Sequence, residues 1–554
     1  MLVFLQIWHL AFRVDWRPLL VVSAIGAAGL FLHRRELWNL VWRVAPRNWF
    51  FCFVMLVLTL RIANRAIGAP MHTDAGFYHL SSIRWAATFP IVPGLGNLHH
   101  PLAINSAHFL YVALLDIGLW AGRSYHVANG LLLLTACAQV IACIFAMCRR
   151  NGGPRVSDVF LALALPALLT QAAVDRSLYN ALFVHLVCSP TPDLPVFVLG
   201  LLLARELLVL IESESFSGGR SGFLLVSIAA LCIAGVMVKL SFAVLSATVL
   251  GVASLVWASG AAKNRAEFRA GPLAFAVAIV VMATVPWVIR SVTLSGYVAY
   301  PSPAVSFAVD WRMPYETVAA EAELVRRHAR WPSTVIANRA WLTAQSGPPH
   351  WLATWFAAIH RVGFWTIVVP CALTLMACCM ALYWRIAGSY ARQLPRILLL
   401  LFVPLICSVV FWFFAAPSPR FAGSVFWAVG AGALALGVSG LPTAKRTTAS
   451  YVLVALSVAL SLYLFSRMTL RGPGQDDGFH AAPQVTMTTY VTRSGLRILV
   501  PANKRAGQLS YCWGAPLPCT PRPDLALRLR KRADIEAGFT VDVAPRGGSA
   551  SAER

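Results

Sequence analysis

Twelve stretches of this chain are apolar for long enough to cross a bilayer, and no other feature constrains the fold as tightly. A helix needs about 17–25 such residues to span roughly 30 Å of hydrocarbon. The runs lie near 17–33, 49–67, 125–147, 156–172, 192–211, 222–238, 240–257, 272–291, 361–384, 397–415, 421–440 and 449–466. The split at Lys239 is the least sharply marked. Composition agrees with this count. Hydrophobic residues make up 58% of the 554 and charged residues 12%, against about 45–50% and about 25% in soluble domains. That excludes an ordinary cytosolic enzyme, a disordered chain and a fibrous protein. The sequence therefore predicts an all-α polytopic membrane protein with about twelve transmembrane helices. Met1 to Phe12 has neither a basic n-region nor a small-residue cleavage site, so a cleaved leader is not expected.

The 46 basic and 22 acidic residues give a net charge of +24. In a membrane protein such an excess marks the cytoplasmic loops and meets anionic head groups. A nucleic-acid partner would need the cations gathered on one soluble domain, which only the tail could supply, and none is expected. Five basic clusters fall on one side if the spans alternate: Arg34, Arg35, Arg43 and Arg47; Arg149, Arg150 and Arg155; Lys263, Arg265 and Arg269; Arg385, Arg392 and Arg396; and Lys445 with Arg446. That side is assigned to the cytoplasm. Residues 68–124, 173–191, 292–360, 416–420 and the chain from 467 then lie outside.

The expected organisation is a transmembrane domain over 1–466, with long external loops at 68–124 and 292–360, and a small soluble domain over 467–554. Asp74–Thr88 and His108–Leu119 read as helices lying at the membrane surface. Tyr315–Trp331 reads as a helix, with Pro314 at its start and an i,i+4 pair between Glu323 and Arg327. Leu496–Val500 is strand-like, and Gly547–Arg554 reads as disordered. Nine of the twelve cysteines sit in apolar segments, where a thiol behaves as a small hydrophobe. Cys512 and Cys519 stand alone together in the polar tail, which suits a disulfide if that tail meets an oxidising compartment.

The densest chemistry lies between Met71 and Ser106. A carboxylate just beyond a membrane span is costly without a task or a partner. Asp74 occupies that position and could take a proton from a hydroxyl as a general base. It could also cap the helix that starts near Ala75, and the two roles are compatible. Tyr78, His79, Asn97, His99, His100 and Asn105 follow as polar candidates for substrate binding. Five of the thirteen histidines lie between His72 and His108. Adjacent histidines lack the spacing of a structural zinc site, so a divalent metal is possible there but not indicated. A second group is cationic: Lys239, Arg290 and Arg420 each sit at an outer span end, where a lipid phosphate lies. They suit either a phosphate clamp or simple snorkelling to head groups. Asp193, in Ser189-Pro-Thr-Pro-Asp-Leu-Pro195, reads first as a helix-start residue. Tyr297 reads as an interface anchor or a sugar-stacking ring. There is no P-loop, no HExxH and no GxSxG elbow, so any donor of a transferred group must arrive in the membrane.

The run Asp74-Ala-Gly-Phe-Tyr78, in a long first external loop, resembles the GT-C superfamily of polyprenyl-phosphate-sugar-dependent glycosyltransferases. More closely, the chain is similar to a bacterial family of multi-pass membrane proteins of poorly assigned function. That likeness rests on Tyr78-His79, Ile91–His99, Asn105-Ser106, Ser189–Pro195, Pro286-Trp287 with Arg290, Ser295–Pro301, Pro417–Phe421 and Cys512–Cys519. The resemblance implies a GT-C-like fold in the inner membrane, an active site facing the periplasm and Asp74 as catalytic base. It implies a polyprenyl-phosphate sugar donor, a glycan or lipid acceptor and no certain cofactor. Asp74 is followed by Ala rather than a second acid, so an acidic metal-binding pair is not visible. A flippase or transporter for a polyprenyl-linked glycan, or a polysaccharide polymerase, are the alternatives. A transporter would carry inverted repeats and mid-membrane polar groups, and no such repeat is evident.

Overall fold

A computed structural model of the chain describes all residues except 36–48, 150–152, 174–185, 214–218, 264–270, 332–350, 389–395, 469, 475–477, 503–510 and 543–554. Several residues used above lie outside the described ones: Arg43, Arg47, Arg150, Arg265, Arg269, Arg392, most of the 173–191 loop and the Gly547–Arg554 end.

The protein is mostly helical, and among the described residues nine helices are long and apolar enough to cross a membrane. They are Trp49–Ala66, Ser124–Cys148, Val156–Ala173, Asp193–Ile211, Arg220–Val238, Leu240–Gly260, Gly271–Ser295, Phe364–Ile386 and Thr443–Ser466. The other three expected spans are also helices, but shorter: Trp16–Leu32, Leu399–Ala415 and Val425–Ser439. At 1.5 Å per residue, the 15 residues of Val425–Ser439 reach only about 23 Å. That helix is instead enclosed by others, with Trp427, Ala428, Ala431, Leu434 and Val438 buried. Gly430 makes the enclosure possible: a Cβ there would stand 2.9 Å from the Pro370 carbonyl oxygen, so only glycine admits the neighbouring backbone. Val156–Ala173 and Asp193–Ile211 are likewise mostly buried, while Phe364–Ile386 and Gly271–Ser295 turn most of their surface outward.

The two ends of this bundle differ. At one end, Glu212 accepts from the amides of Val156 (2.7 Å) and Ser157 (3.1 Å), and Tyr451 donates to the Met147 carbonyl at 3.0 Å. At the other, the long loops and the tail pack together. The first loop holds a π-helical turn, Ala75–His79, and the helices Leu80–Thr88 and Ala107–Leu114. The last corrects the expectation of a surface helix. All eight of its side chains are buried, several of them against the Leu2–Ala11 helix, Ile83 and Ala86, so no face is left for lipid. Leu80–Thr88 also buries Ile83, Trp85 and Ala86 within protein. In the second loop the Tyr315–Arg330 helix starts after Pro314 and carries the Glu323–Arg327 pair at 2.9 Å.

Thr443–Ser466 closes the helical part. Four strands follow: β1 (Met487–Val491), β2 (Arg497–Pro501), β3 (Leu527–Lys531) and β4 (Asp534–Val541). They form two antiparallel pairs, β1–β2 and β3–β4. Cys512 and Cys519 are joined, and the segment they close leans on β2 through Leu499 and Pro518. The tail is held to both loops. Phe539 donates its amide to the Pro93 carbonyl (2.9 Å), and Arg530 pairs with Asp310 at 2.7 Å.

Candidate functional site

Four charged side chains from four separate chain segments meet at the loop end of the bundle. Asp74 precedes the π-helical turn, Asp193 opens its helix, and Lys239 stands at an extended break between two spans. Arg420 lies in the single turn Pro419–Ala422. Arg420 Nη2 is 2.7 Å from Asp74 Oδ2, and its Nε is 3.2 Å from Asp193 Oδ2. The Lys239 ammonium pairs with the other Asp193 oxygen. The order Asp74–Arg420–Asp193–Lys239 alternates in sign and sums to zero. Both cations also stand over the Phe421 ring, at 4.5 and 5.1 Å from its centroid.

This corrects one reading of the sequence and extends another. Asp74 makes no side-chain capping bond to the turn it precedes; its carboxylate is spent on Arg420. Asp193 does start its helix, as read, and is also the bridge between both cations. Its signal was present in the sequence: a second carboxylate at a span end incurs the same cost as the first, and Lys239 is an opposite charge at the same level.

Burial alone would push Asp74 up, but the Arg420 guanidinium holds it well below the usual carboxylate range. Burial would lower Arg420, and Asp74 and Asp193 more than offset it, so the guanidinium is held firmly charged. Burial draws Lys239 down while Asp193 resists. Behind Asp74, the buried rings of His72 and His79 stack with centroids 5.8 Å apart. Burial pushes both below the ordinary imidazole value, so they stand neutral. The Asp74 amide donates to His72 Nδ1 at 3.3 Å.

The cluster opens into a cavity of about 970 Å³. Asp74, Tyr78, Asn105, Lys239, Arg420, Tyr300, Glu321 and His328 supply polar lining. Val196, Val238, Leu245, Phe411, Trp412 and Phe426 supply much of the apolar lining, from the helices around it. Tyr511 and Arg522 reach the same cavity from the tail domain. Sequence reasoning did not single out these two or Glu321. What places Tyr511 is the contact of its neighbour Trp513 with Gly76. The Trp513 amide donates to the Gly76 carbonyl (3.0 Å), and a Cβ on Gly76 would meet the indole at 2.5 Å. A glycine two residues past Asp74 was visible in the sequence; the ring that needs it was not.

The other expected site residues divide. Tyr78, Asn105, Lys239 and Arg420 line the cavity. His79 is buried behind it. Asn97 ties loops together, donating to the carbonyls of Trp311 (2.8 Å) and Phe539 (3.2 Å). His99 is buried, with Nε2 3.1 Å from the Phe77 carbonyl oxygen, and burial presses it down to about 3. His100 faces Glu321 at 3.8 Å. Tyr297 neither anchors an interface nor enters the cavity: it is 1% exposed, and its hydroxyl donates to the Met313 carbonyl. Tyr300 takes the cavity position instead. Arg290 does not join Lys239 and Arg420. It turns toward Asn105 and His9, because the Leu2–Ala11 helix packs against its span and offers the imidazole. The three-cation clamp becomes two cations and two carboxylates.

Among the described residues no three His, Cys, Asp or Glu side chains converge as a metal site requires, and Asp74 and Asp193 are both engaged by cations.

A membrane-embedded helical bundle with a charged cavity at one end is thus the class that fold and site define. The chain belongs to the family described as a domain of unknown function (DUF8201), which it matches over residues 1–427. The match takes in Asp74, Asp193, Lys239 and Arg420 and stops before the tail domain. No curated protein and no solved structure matches the chain.

Proposed function

We propose that this protein is a GT-C-type glycosyltransferase of the bacterial inner membrane. It moves a sugar from a polyprenyl-phosphate donor to a glycan or lipid acceptor, with the cavity facing the periplasm. The observation that carries the reading is the Asp74–Arg420 pair, 2.7 Å apart in the wall of a large, partly apolar cavity. A base and a phosphate-binding cation side by side are what transfer from a sugar phosphate requires.

The chemistry then runs as one displacement. Asp74 takes the proton of the acceptor hydroxyl, and the oxygen forms its bond to the anomeric carbon. The bond from that carbon to the phosphate oxygen breaks, and its electron pair leaves on the phosphate. Arg420 and Lys239 stabilise that charge as it develops. In the ligand-free site Asp74 is a weak base, because Arg420 holds its proton affinity down. A donor phosphate competes for the same guanidinium. As Arg420 turns to the phosphate, Asp74 loses its counter-ion and its basicity rises. The donor therefore switches on the base, and donor binding precedes proton removal.

Asp74→Asn tests this reading. The amide keeps the size and a hydrogen-bonding oxygen but cannot take a proton. Removing a general base lowers rate by about 10²–10⁴. In membranes carrying equal amounts of protein, the variant should lose sugar transfer by that order. Near-normal transfer would overturn the assignment. Arg420→Lys should fall less far, since the charge stays while the planar fork that touches both carboxylates is lost.

A further inference from the structure

Arg290 is a buried cation with no acid to answer it among the described residues. It lies on the Gly271–Ser295 helix and is 5% exposed. Its Nε donates to Asn105 Oδ1 at 3.3 Å, and its Nη1 is 2.5 Å from His9 Nδ1. Both partners are neutral. An arginine donates to Nδ1 only when that nitrogen is unprotonated, so His9 carries its hydrogen on Nε2. The Phe89 carbonyl also stands against this imidazole. Asn105 spends its own amide on the Trp287 carbonyl at 2.7 Å. No carboxylate among the described residues reaches the guanidinium, and three of its five N–H groups make no bond there. Arginine does not shed its proton in a protein, and a buried charge is tolerated only with compensation.

A second cavity lies beside this cation and shares Ile104 and Ser106 with the large one. Its volume is about 40 Å³, above the ~10–15 Å³ that one water needs. His9, Ser82, Trp85 and Arg290 border it. Trp85 is 3% exposed and its indole N–H has no partner among the described residues; the Ser82 hydroxyl is buried and also has none there. An indole N–H can only donate. Among the described residues, a permanent cation and two unanswered donors therefore border one small cavity, and no carboxylate does.

We propose that this cavity binds a small inorganic monoanion of halide size, chloride under ordinary conditions, held by Arg290, Trp85 and Ser82. A halide fits within it, and water would bring no charge to set against the guanidinium. The site ties together three helices, Leu2–Ala11 through His9, Leu80–Thr88 through Ser82 and Trp85, and Gly271–Ser295 through Arg290. Occupancy therefore reads out as stability, independent of any transfer activity.

The test uses the full chain purified in detergent. Its melting temperature is followed while sodium chloride replaces sodium gluconate at constant ionic strength. The expected result is a saturable rise with chloride, and the same rise with bromide. Trp85→Phe removes one donor and keeps an aromatic ring; it should shift the half-saturating concentration upward about tenfold, the scale of one hydrogen bond to an ion. Ser82→Ala serves in the same role should Trp85→Phe fail to accumulate. A crystal grown in bromide should give an anomalous peak against Arg290. A melting temperature indifferent to the exchange overturns the proposal. So does a rise of the same size and half-saturation in the Trp85→Phe or Ser82→Ala protein, which would mark a general salt effect.

Discussion

A carboxylate with one cation and a carboxylate with two respond differently to neutralisation. Among the described residues Asp74 pairs with Arg420 alone, whereas Asp193 holds Lys239 with one oxygen and approaches Arg420 with the other. Asp193→Asn strands Lys239 without an acid, and breaking one side of a buried pair costs about 3–5 kcal/mol. Asp74→Asn leaves Arg420 its second carboxylate. Chemical unfolding in detergent should therefore show Asp193→Asn the less stable of the two, by about 2 kcal/mol or more. Adding Lys239→Met should recover part of the loss. Equal stabilities would mean that Asp193 does not hold the cluster. At this scale the sequence was partly readable. Asp74, Lys239 and Arg420 stand out because charge at a span end is costly wherever it occurs. Asp193 carried the same signal, but Pro192 and the helix behind it gave a sufficient local reason, and its partner is 46 positions away. Arg290 misled for the converse reason: its residue type and depth matched the others, while the imidazole beside it came from a helix 281 positions earlier.

At the scale of elements, each of the twelve apolar runs became a helix, since composition over some twenty residues decides that locally. What the runs could not reveal is which helices other helices would surround. Val425–Ser439 and Ala107–Leu114 are short because protein rather than lipid covers them. The tail domain raises a separate question of how it stays over the cavity. The Cys512–Cys519 bridge closes a loop of sequence separation 7, worth roughly 2–3 kcal/mol by loop entropy. Within that loop, the Gly514 and Ala515 carbonyls accept from Arg84 on the Leu80–Thr88 helix. Unreduced peptide mapping should find the two cysteines linked. Cys519→Ser should make the tail segment more sensitive to limited proteolysis while the spans stay protected. Two freely alkylating thiols in protein from oxidising cells would contradict the pairing.

For the molecule as a whole, buried neutral imidazoles set the response to acid. Burial holds His99 and His108 down to about 3, and lowers His72 and His79 as well. The unfolded chain takes up protons near 6.5, before the folded one can. Stability from these groups is complete above that value and declines as pH falls below it, by up to about 1.4 kcal/mol per histidine and pH unit. Asp74 stays ionised through this window, so its pairing neither adds to nor offsets the loss. The melting temperature should be flat from pH 8 to 7 and fall steadily from 6.5 to 5. A flat profile to pH 5 would mean that these rings are already charged or open to water. A last consequence concerns the order of manufacture. Tyr511 and Arg522 line the cavity, yet they follow the Thr443–Ser466 helix in the chain. The ribosome reaches them only after it has made every described span. Until then the cavity has one wall missing, and Gly76 waits without the indole that seats against it. The cavity of a nascent chain is thus incomplete by construction, and its lining closes only when the tail has docked.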